Sequence, residues 1–452
     1  MKGQSKTLRV ILLLGDIFVL YVALFLALAL RNKNLPSQVN GFFYSFFILY
    51  VLWILIIFVL DLYDLHFFRK PKDFFFNLII FSFLAFFAGV TYFYFRPVFS
   101  ITPKTILLLN IISFDVIFIV WRCLFGFILG VGGIKEKVVI VGFHEKITEI
   151  LPQLKAMYDI SAFFCPPHTT GEKKCMAYFP ELKTISEISD LKKIVADKKI
   201  TSIIFALDFY SNENLVKEIF ASLPLTLNYI GVEELYESVA KKVSLEHLNE
   251  IWFLEKISKP EGIFNQGVKR IFDIILSLIG LLVFVIFLPF VALAIKIDGN
   301  GSVFYKQKRV GKNGKEFILY KFRTMKEAPN QDSKVWREKS EGNITKVGAV
   351  LRKLHLDELP QAYNILRSDI SFVGPRAEWQ ELAKVFEKEI PFYKQRYLVK
   401  PGLLGWAQIN FPASKSVNEA KEKFEYDLYY IKNRSLLLDL EIILKAVKLF
   451  IL

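Results

Sequence analysis

The sequence is poor in cysteine, which removes one common way of holding a small fold together. Its 452 residues include three cysteines, Cys123, Cys165 and Cys175. Cys165 and Cys175 flank His168 at a spacing that matches no common zinc motif. A disulfide framework is therefore excluded, and the cysteines are expected to be reduced thiols.

The sequence also lacks the composition of a disordered or fibrous chain. Hydrophobic residues make up 53% of it, with 45 phenylalanines and 6 tryptophans, far more apolar surface than disordered or collagen-like proteins carry. A mean hydropathy of +0.37 is too high for soluble domains alone, so part of the chain is expected in a lipid bilayer. The net charge of +14 favours contact with anionic lipid headgroups or phosphorylated ligands over nucleic acid.

Long apolar runs occupy the N-terminal third of the chain, at 10–30, 42–60, 74–95 and 105–121. Each is close to the roughly 20 residues that cross the hydrocarbon core. The first run is too long for a cleavable signal peptide and lacks a small-residue cleavage site. Flanking basic residues are more numerous on the side of the N-terminus, which favours a cytosolic N-terminus. Residues 1–131 are therefore predicted to form a four-helix transmembrane bundle.

Two acids, Asp16 and Asp115, interrupt these apolar runs. An ionisable group at membrane depth often marks an ion path. A single acid per helix can also be satisfied by a neighbouring helix without moving any ion, and this structural role is the one expected here.

Short apolar strands alternate with amphipathic helices over residues 132–256, which predicts a parallel sheet covered on both faces. The predicted strands are 138–141, 161–165, 202–206 and 225–230, with helices between them near 146–157, 187–196 and 212–222. The first strand leads into Gly142, Phe143 and His144, where a dinucleotide-binding fold would place several glycines. The two bulky side chains would keep a pyrophosphate from the following helix. The pattern favours a regulatory or packing module over a nucleotide-binding one.

A fifth apolar run extends from Ile274 to Ile295 and contains Pro289. By length this helix could cross the bilayer. The basic residues at both ends and the proline fit equally well a re-entrant helix that enters and leaves by the same face. The residues themselves leave this choice open.

Positive charge is dense between Lys306 and Lys326, where eight basic residues stand against one acid, Glu316. A surface lying on anionic lipid would account for such a cluster. Gly311, Asn313 and Gly314, however, predict a turn between two strands, and alternation along the second strand, 317–322, places Lys321 and Arg323 on one face. Two cations fixed in this way could hold a diphosphate.

Two adjacent acids, Asp357 and Glu358, form the next candidate site. Asp357 suits the N-cap of a helix with Pro360 in its first turn, which would be a purely structural role. A second acid directly after it, with Arg352 upstream and Arg376 downstream, is typical of phosphoryl transfer instead. In such sites cations neutralise phosphate oxygens, one acid holds a metal, and another attacks or accepts a proton.

Six ordered motifs in this region resemble the bacterial sugar transferases, also called polyisoprenyl-phosphate hexose-1-phosphate transferases. The motifs are Lys269-Arg270-Ile271-Phe272-Asp273, Tyr320-Lys321-Phe322-Arg323-Thr324-Met325, Leu356-Asp357-Glu358-Leu359-Pro360-Gln361, Ser371-Phe372-Val373-Gly374-Pro375-Arg376, Lys400-Pro401-Gly402 with Gly405-Trp406-Ala407-Gln408, and Asp427-Leu428-Tyr429-Tyr430-Ile431. The apolar runs and the degenerate α/β module are similar to the large form of this family. The sequence departs from the family pattern at Ala377, where a proline is usual, and at Leu404, where a threonine is usual.

The resemblance implies transfer of a hexose-1-phosphate from a UDP-sugar to a polyprenyl phosphate such as undecaprenyl phosphate, with release of UMP. This reaction would initiate exopolysaccharide, O-antigen or related glycan synthesis. The resemblance also implies Mg²⁺ as the cofactor, with Asp357 as the nucleophile that forms a phosphosugar aspartyl ester and Glu358 as the magnesium ligand. The phosphate-binding cations are then Lys321, Arg323, Arg352 and Arg376.

The predicted architecture is a membrane protein of the α plus α/β class. It comprises a transmembrane bundle at 1–131, a Rossmann-like parallel α/β module at 132–256, and a mainly helical catalytic domain at 257–452. The family resemblance makes the helix at about 274–295 re-entrant, with its break near Pro289, because nucleotide sugars are cytosolic. The expected location is the bacterial inner membrane, with the catalytic domain on the cytosolic face.

The C-terminal run from Leu436 to Leu452 keeps four charged residues among its apolar ones, which favours a helix lying in the membrane interface rather than a span. Its removal is expected to loosen membrane or domain docking without affecting the chemistry.

The expected partners are the UDP-sugar, the polyprenyl phosphate and membrane lipids, without nucleic acid; a homo-oligomer is left open. A polytopic transporter or lipid-linked glycan flippase is the alternative, because of the five apolar runs and the intramembrane acids. The soluble stretch with its acid and arginine motifs argues against it. A third hypothesis is that the α/β module is an active nicotinamide enzyme that modifies a nucleotide sugar. It is disfavoured because Gly142 is the only glycine present where a dinucleotide-binding fold would place several.

Overall fold

The computed structural model describes residues 2–31, 39–60, 62–63, 71–95, 104–128, 135–165, 184–185, 187–205, 217, 220, 227–246, 248–257, 263–299, 301–326, 344–411 and 416–451. The chain divides into two compact units, and the division falls between Lys135 and Glu136. The predicted boundary at residue 131 lies close to this point. The second unit contains both the α/β module and the C-terminal region.

The first unit consists of four helices, which correspond to the four predicted apolar runs. They are α1 (Lys2–Arg31), α2 (Val39–Val59), α3 (Pro71–Phe95) and α4 (Lys104–Ile128). By length and composition α1, α3 and α4 could each cross a membrane, while the apolar part of α2, Tyr44–Phe58, is shorter. Aromatic side chains such as Trp53 and Phe114 are completely buried between the helices, so the bundle has an aromatic core of its own.

Both acids of the bundle have partners on neighbouring helices. The carboxylate of Asp16 on α1 lies 2.9 Å from a guanidinium nitrogen of Arg122 on α4, and both side chains are buried. The hydroxyl of Ser82 on α3 donates to Asp115 on α4 at 2.7 Å. The structural role expected for these acids is therefore confirmed.

The α/β module contains a five-stranded parallel sheet in the order β3-β2-β1-β4-β5. Its strands are β1 (Glu136–Val141), β2 (Tyr158–Phe164), β3 (Thr184–Ile185), β4 (Ser202–Phe205) and β5 (Asn228–Gly231). Its helices are α5 (Glu145–Met157), α6 (Ile188–Asp197), α7 (Val232–Ala240) and α8 (Glu250–Lys256). The predicted parallel sheet is confirmed, with the short β3 in addition. A helix predicted near 212–222 lies almost wholly outside the described residues.

Cys165 follows β2 directly and is completely buried. It is disulfide-bonded, so the reduced thiol expected at this position is wrong. Cys175 lies outside the described residues. Cys123 in the bundle is a free, exposed thiol, as expected.

The C-terminal region is mainly helical. Its helices are α9 (Ile263–Asp298), α10 (Lys346–Lys353), α11 (Gln361–Leu366), α12 (Gln380–Glu389), α13 (Trp406–Asn410), α14 (Val417–Asn433) and α15 (Leu436–Ile451). Its strands are β6 (Phe304–Val310) and β7 (Glu316–Phe322), which pair antiparallel, and β8 (Ser371–Val373) and β9 (Gly402–Leu404), which pair parallel. Short 3-10 turns at Leu356–Glu358 and Tyr393–Leu398 complete the region.

Helix α9 is long and apolar, and it runs without interruption through Pro289 to Asp298. Pro289 therefore lies inside the helix, and the predicted break does not divide α9 into two separate helices. Large apolar side chains cover its outer face and are more than half exposed; they include Phe272, Leu282 and Phe290. A soluble protein does not normally expose an apolar surface of this size.

The opposite face of α9 contacts the rest of the C-terminal region along its whole length. At its start, both guanidinium nitrogens of Arg270 donate to carbonyls at the end of α11, and Asp273 accepts from the Phe372 amide at 2.8 Å. Near its end, Val291 and Ile295 pack in a core that includes β7, and Asp298 accepts from the Val347 amide at 2.8 Å. Both ends of α9 are thus fixed to the same compact region.

Candidate active site

Lys321 lies near the end of β7, in the hairpin that β6 and β7 form. Tyr305 on β6 is paired with Lys321 on β7, and the predicted turn between the strands is present at Gly311–Gly314. Asn313 and Gly314 have positive φ values of 57° and 74°, which a tight connection of this kind requires. The hairpin therefore fixes Lys321 at its open end, opposite the turn.

Arg352 is placed by α10, which packs very closely on the chain that follows β7. The hydroxyl of Thr345 caps this helix by accepting from the Gly348 amide at 3.0 Å. A Cβ at Gly348 would lie 2.1 Å from the carbonyl oxygen of Thr324, so only glycine permits this approach. At the far end of α10 the Nε of Arg352 donates to the Thr324 hydroxyl at 2.9 Å.

Asp357 lies in a 3-10 turn, and the predicted role as a helix N-cap is wrong. The turn begins after His355, whose φ of 53° is in the left-handed region, and it leads directly into α11. Pro360, with helical backbone angles, occupies the N-cap position of α11, and no side chain caps it. Asp357 does not act as an N-cap because it lies inside a 3-10 turn that precedes α11. An N-cap residue normally has extended backbone angles.

Glu358 is the electrostatic centre of the site. Its Oε1 lies 2.5 Å from the Nζ of Lys321 and 2.8 Å from an Nη of Arg376. Burial alone would raise the pKa of Glu358, but the charges and hydrogen bonds of Arg376 and Lys321 outweigh it and lower the pKa to about 2. Glu358 is therefore ionised throughout the physiological pH range.

Asp357 has fewer partners than its neighbour. Its side chain is buried, and its carboxylate lies 3.9 Å from Lys321 Nζ, beyond hydrogen-bond distance. Burial raises the pKa of Asp357, and the charge of Glu358 adds to this rise, while Lys321 and Arg352 oppose it. The two adjacent carboxylates thus have pKa values shifted in opposite directions, a pattern found where two acids have different roles in one reaction.

The loop that carries Arg376 is fixed by two glycines in close backbone contact. Gly374 donates from its amide to Leu404 O at 2.9 Å, and Gly402 donates to Pro375 O at 2.9 Å. A Cβ at Gly402 would lie 2.0 Å from the Gly374 nitrogen. The β8–β9 pair therefore holds the backbone on either side of Arg376.

A buried arginine that the sequence analysis missed supports this loop from behind. One Nη of Arg396 donates to Arg376 O at 2.7 Å, and its Nε donates to Asp427 at 2.7 Å. Its side chain is 4% exposed, and the carboxylate of Glu378 lies 3.5 Å from it. Asp427 belongs to one of the six motifs. A buried acid at this position needs a cation beside it, and this requirement could have pointed to Arg396.

Arg323 does not join the carboxylates. Its guanidinium donates to Gly299 O at 2.9 Å and to Ile295 O at 3.3 Å, at the C-terminal end of α9. The prediction that it binds a diphosphate with Lys321 is therefore not supported. Strand β7 ends at Phe322, so the alternation of side chains between its two faces does not extend to Arg323. Arg323 instead binds the carbonyls at the C-terminal end of α9, where a cation is favourable.

The carboxylates of the site fit a magnesium ion that is shared with a substrate. Among the described residues no group of three or more His, Cys, Asp and Glu side chains could form a metal site of its own. Magnesium, however, is usually bound by one or two carboxylates together with substrate phosphates. The contacts of both cations fall on Oε1 of Glu358, and Asp357 adds a second carboxylate beside it.

Comparison with known proteins decides the family. Residues 264–452 match the family of bacterial sugar transferases. The exopolysaccharide production protein PSS of Rhizobium leguminosarum bv. phaseoli is 41% identical over 186 residues, which are 40% of this chain and 92% of that protein. The chain belongs to the bacterial sugar transferase family. All six motifs, with Lys321, Asp357, Glu358 and Arg376 among them, lie within the matched residues.

This sugar transferase is also similar to larger members of the family. The UDP-N-acetylgalactosamine-undecaprenyl-phosphate N-acetylgalactosaminephosphotransferase of Aeromonas hydrophila is 36% identical over 217 residues, covering 48% of this chain and 51% of that protein. The UDP-glucose:undecaprenyl-phosphate glucose-1-phosphate transferase of Escherichia coli K12 is 30% identical over 263 residues, covering 57% of each chain. The matched part of the chain therefore spans about half the length of these two relatives.

Proposed function

We propose that this sugar transferase moves a hexose-1-phosphate from a UDP-sugar to a polyprenyl phosphate and releases UMP. The observation that carries the proposal is the pair of adjacent carboxylates with opposite pKa shifts, one of them held by Lys321 and Arg376. The names of the Aeromonas and Escherichia relatives supply the substrate class, a UDP-sugar and undecaprenyl phosphate. Such a reaction would initiate the synthesis of an exopolysaccharide or related glycan.

The cations of the site suit the charge changes of this reaction. A sugar diphosphate and a lipid phosphate are both anions, and further charge develops on the phosphate of UMP as it departs. Lys321 and Arg376 lie together at Glu358, and Arg352 acts electrostatically on Asp357 from α10. Cations fixed before the reaction stabilise such charge without reorganisation.

Asp357 is the proposed nucleophile, which attacks the sugar-bearing phosphorus to form a phosphosugar aspartyl ester and release UMP. The lipid phosphate then attacks the phosphorus of the ester and regenerates the carboxylate. The two anionic substrates thus react with the enzyme one after the other. The raised pKa of Asp357 makes its carboxylate more basic than that of Glu358, whose charge is held by two cations. Glu358 is accordingly the less suitable nucleophile of the two.

Mg²⁺ is the proposed cofactor, and Glu358 is its proposed ligand. A magnesium ion bound there would neutralise diphosphate oxygens. In its absence, Lys321 and Arg376 already place two positive charges at Oε1 of Glu358.

The apolar helices are proposed to hold the enzyme in the inner membrane, with α1–α4 as transmembrane helices and the C-terminal region on the cytosolic face. Both ends of α9 are fixed to that region. If α9 crossed the bilayer, its two ends would lie on opposite sides, and the part of the C-terminal region that contacts both ends would have to enter the hydrocarbon. We therefore place α9 in a single leaflet, entering and leaving by the same face, with its exposed apolar side towards lipid.

The alternative of a transporter or flippase rested on the acids within the apolar runs. Asp16 is paired with Arg122, and Asp115 accepts from Ser82. Both acids therefore have structural partners inside the bundle, and no observation in the described residues favours transport.

The decisive experiment uses the purified full-length protein with Mg²⁺, undecaprenyl phosphate and a panel of UDP-sugars, and it measures UMP release. We expect release with one or a few of the sugars, and none from Asp357→Asn. Glu358→Gln should weaken the magnesium dependence and slow both steps. Absence of release from the wild type with every sugar would contradict the proposed function.

The covalent route is tested by omitting the lipid acceptor. A single turnover of UMP should then still occur, and a sugar-phosphate adduct on Asp357 should be detected by mass spectrometry. If UMP appears only after polyprenyl phosphate is added and no adduct forms, Asp357 is instead a general base acting in a ternary complex.

A further inference from the structure

The α/β module contacts the C-terminal region through the edge where a dinucleotide-binding fold would hold its ligand. At the carboxyl end of β1, Gly142 has a φ of 81° and His144 caps α5, accepting from the Lys146 amide at 3.1 Å. The N-terminus of α5 is thus capped by the chain itself. The side chains that follow it point into an ion network with α14 of the C-terminal region.

Two lysines of the module are central to this network. The Nζ of Lys242 lies 2.8 Å from Glu422 and 3.6 Å from Glu425, both on α14. The Nζ of Lys146 on α5 lies 3.9 Å from the same Glu425. Lys242 and Glu425 are 8% and 7% exposed, so these charges attract one another with little screening by water.

Backbone and side-chain contacts reinforce the same interface. The carboxylate of Glu425 accepts from the Leu245 amide at 3.3 Å, and its backbone carbonyl accepts from the Val243 amide at 3.0 Å. Further along α14, Glu237 of the module accepts from both Lys432 and Asn433. The module therefore binds most of the length of α14.

Other residues of α14 contact the groups that hold the loop of Arg376. Lys423 donates to Glu378 at 2.9 Å, and Asp427 holds Arg396, which in turn donates to the backbone carbonyl of Arg376. The guanidinium of Arg376 then contacts Glu358 at 2.8 Å. A continuous set of polar contacts thus leads from Lys242 through α14 to Glu358 of the proposed catalytic pair.

We propose that the α/β module positions the active site: its ion network with α14 fixes that helix, and α14 fixes the loop of Arg376 through Asp427 and Arg396. Lys242 is then a positioning residue, although it lies outside the residues matched to the family. The proposal rests on the proposed transferase function, and it gives the degenerate nucleotide-binding edge a role as a docking surface.

The first test replaces Lys242 by methionine, which removes the ammonium group and retains a side chain of similar length. In the full-length enzyme, Lys242→Met should lower kcat/KM for the UDP-sugar by about tenfold, as for other residues that act through a packed network. Lys193→Glu is the matched control, because Lys193 lies on α6 of the same module with a side chain 74% exposed. Its kcat/KM should equal that of the wild type.

A double-mutant cycle distinguishes positioning from a general effect on folding. If Lys242 acts through Arg376, then Lys242→Met should cause little further loss in an Arg376→Lys background. A tenfold loss that remains undiminished in that background would overturn the proposal.

Charge exchange gives an independent readout at the Glu237–Lys432 pair. Glu237→Lys and Lys432→Glu should each lower kcat/KM, and the double variant should recover most of the activity. Failure of the exchange to restore activity, or unchanged activity in Lys242→Met, would reject the positioning role while wild-type turnover remains. Absence of turnover in the wild type would instead reject the transferase function itself.

Discussion

Asp357 and Glu358 are neighbours in one 3-10 turn, yet their carboxylates have different partners. Glu358 receives Lys321 and Arg376 on one oxygen, which lowers its pKa to about 2 in spite of its burial. Asp357 is buried with only a longer ion pair to Lys321, at 3.9 Å, and its pKa is raised. The loss of activity at low pH is therefore expected to follow protonation of Asp357, well before Glu358 takes up a proton.

Arg352→Gln tests this assignment. The charge of Arg352 lowers the pKa of Asp357, so its removal should raise that pKa and move the acidic limb of the kcat/KM profile to higher pH, in addition to lowering the maximum rate. Lys353→Gln is the control, since Lys353 is the next residue on the same helix and its side chain is exposed. An acidic limb that stays in place in Arg352→Gln would show that another group controls it.

Sequence alone grouped Lys321, Glu358 and Arg376 in one candidate site, and the structure places their side chains in contact. Charged groups at fixed offsets from short motifs can be recognised without a structure. Sequence alone misplaced Asp357, since residue preference for an N-cap does not reveal that the turn begins at His355. It also misassigned Arg323, because strand alternation gives no information past the last strand residue. Arg396 was missed since its partners, Asp427 and the carbonyl of Arg376, are distant along the chain.

At the scale of elements, the β8–β9 pair depends on glycine more than any other part of the site. Gly402→Ala would place a methyl group 2.0 Å from the Gly374 nitrogen. The strands would have to separate, which should lower the free energy of unfolding by about 3 kcal/mol. UMP release should fall with it, because the same backbone carries Arg376.

Gly267→Ala is the matched control for this change. Gly267 lies in α9 with no atom near the position of a Cβ, and alanine is favoured over glycine within a helix. Thermal unfolding should show no destabilisation in this variant. A similar loss in both variants would mean that close contact at Gly402 is unimportant.

Helix α15 was predicted to lie in the membrane interface, with its removal expected to spare the chemistry. Its inner face instead joins the core through Leu438 and Ile442, and Asp439 binds both Lys269 and the hydroxyl of Tyr430. That hydroxyl also contacts Val373 O at 3.2 Å, directly before the Gly374 loop.

Asp439→Leu is therefore expected to lower both the melting temperature and the rate of UMP release, because it leaves Lys269 without its carboxylate. Glu441→Leu, on a partly exposed part of α15, should change neither. Normal turnover in Asp439→Leu would support the expectation that this helix serves membrane or domain docking and not the chemistry.

For the whole molecule, hydropathy and alternation were sufficient to predict the apolar bundle and the parallel sheet. Both depend on local patterns of apolar residues. The docking of the α/β module on α14 depends on charged pairs such as Lys242 and Glu422, which are far apart in sequence. The continuity of α9 through Pro289 was not predictable either, since a proline inside a helix can kink it or end it.

The proposed topology is tested by a cysteine introduced at Lys312, after Cys123 has been replaced by serine because it is exposed. Reagents that do not cross the membrane should leave the new cysteine unmodified in intact cells and label it after the cells are opened. A cysteine at Lys33, predicted to face outwards, is the control for external labelling. Labelling of residue 312 from outside would contradict a cytosolic catalytic domain.

The fixed ends of α9 have a consequence for the fate of the product. Arg270 and Asp298 both contact one compact region, so in the proposed topology α9 and the site lie on a single side of the bilayer. A charged diphosphate headgroup is very costly to move through hydrocarbon. The lipid-linked sugar of the proposed reaction should therefore accumulate in the leaflet where it is made, and its passage to the other leaflet would be a separate step.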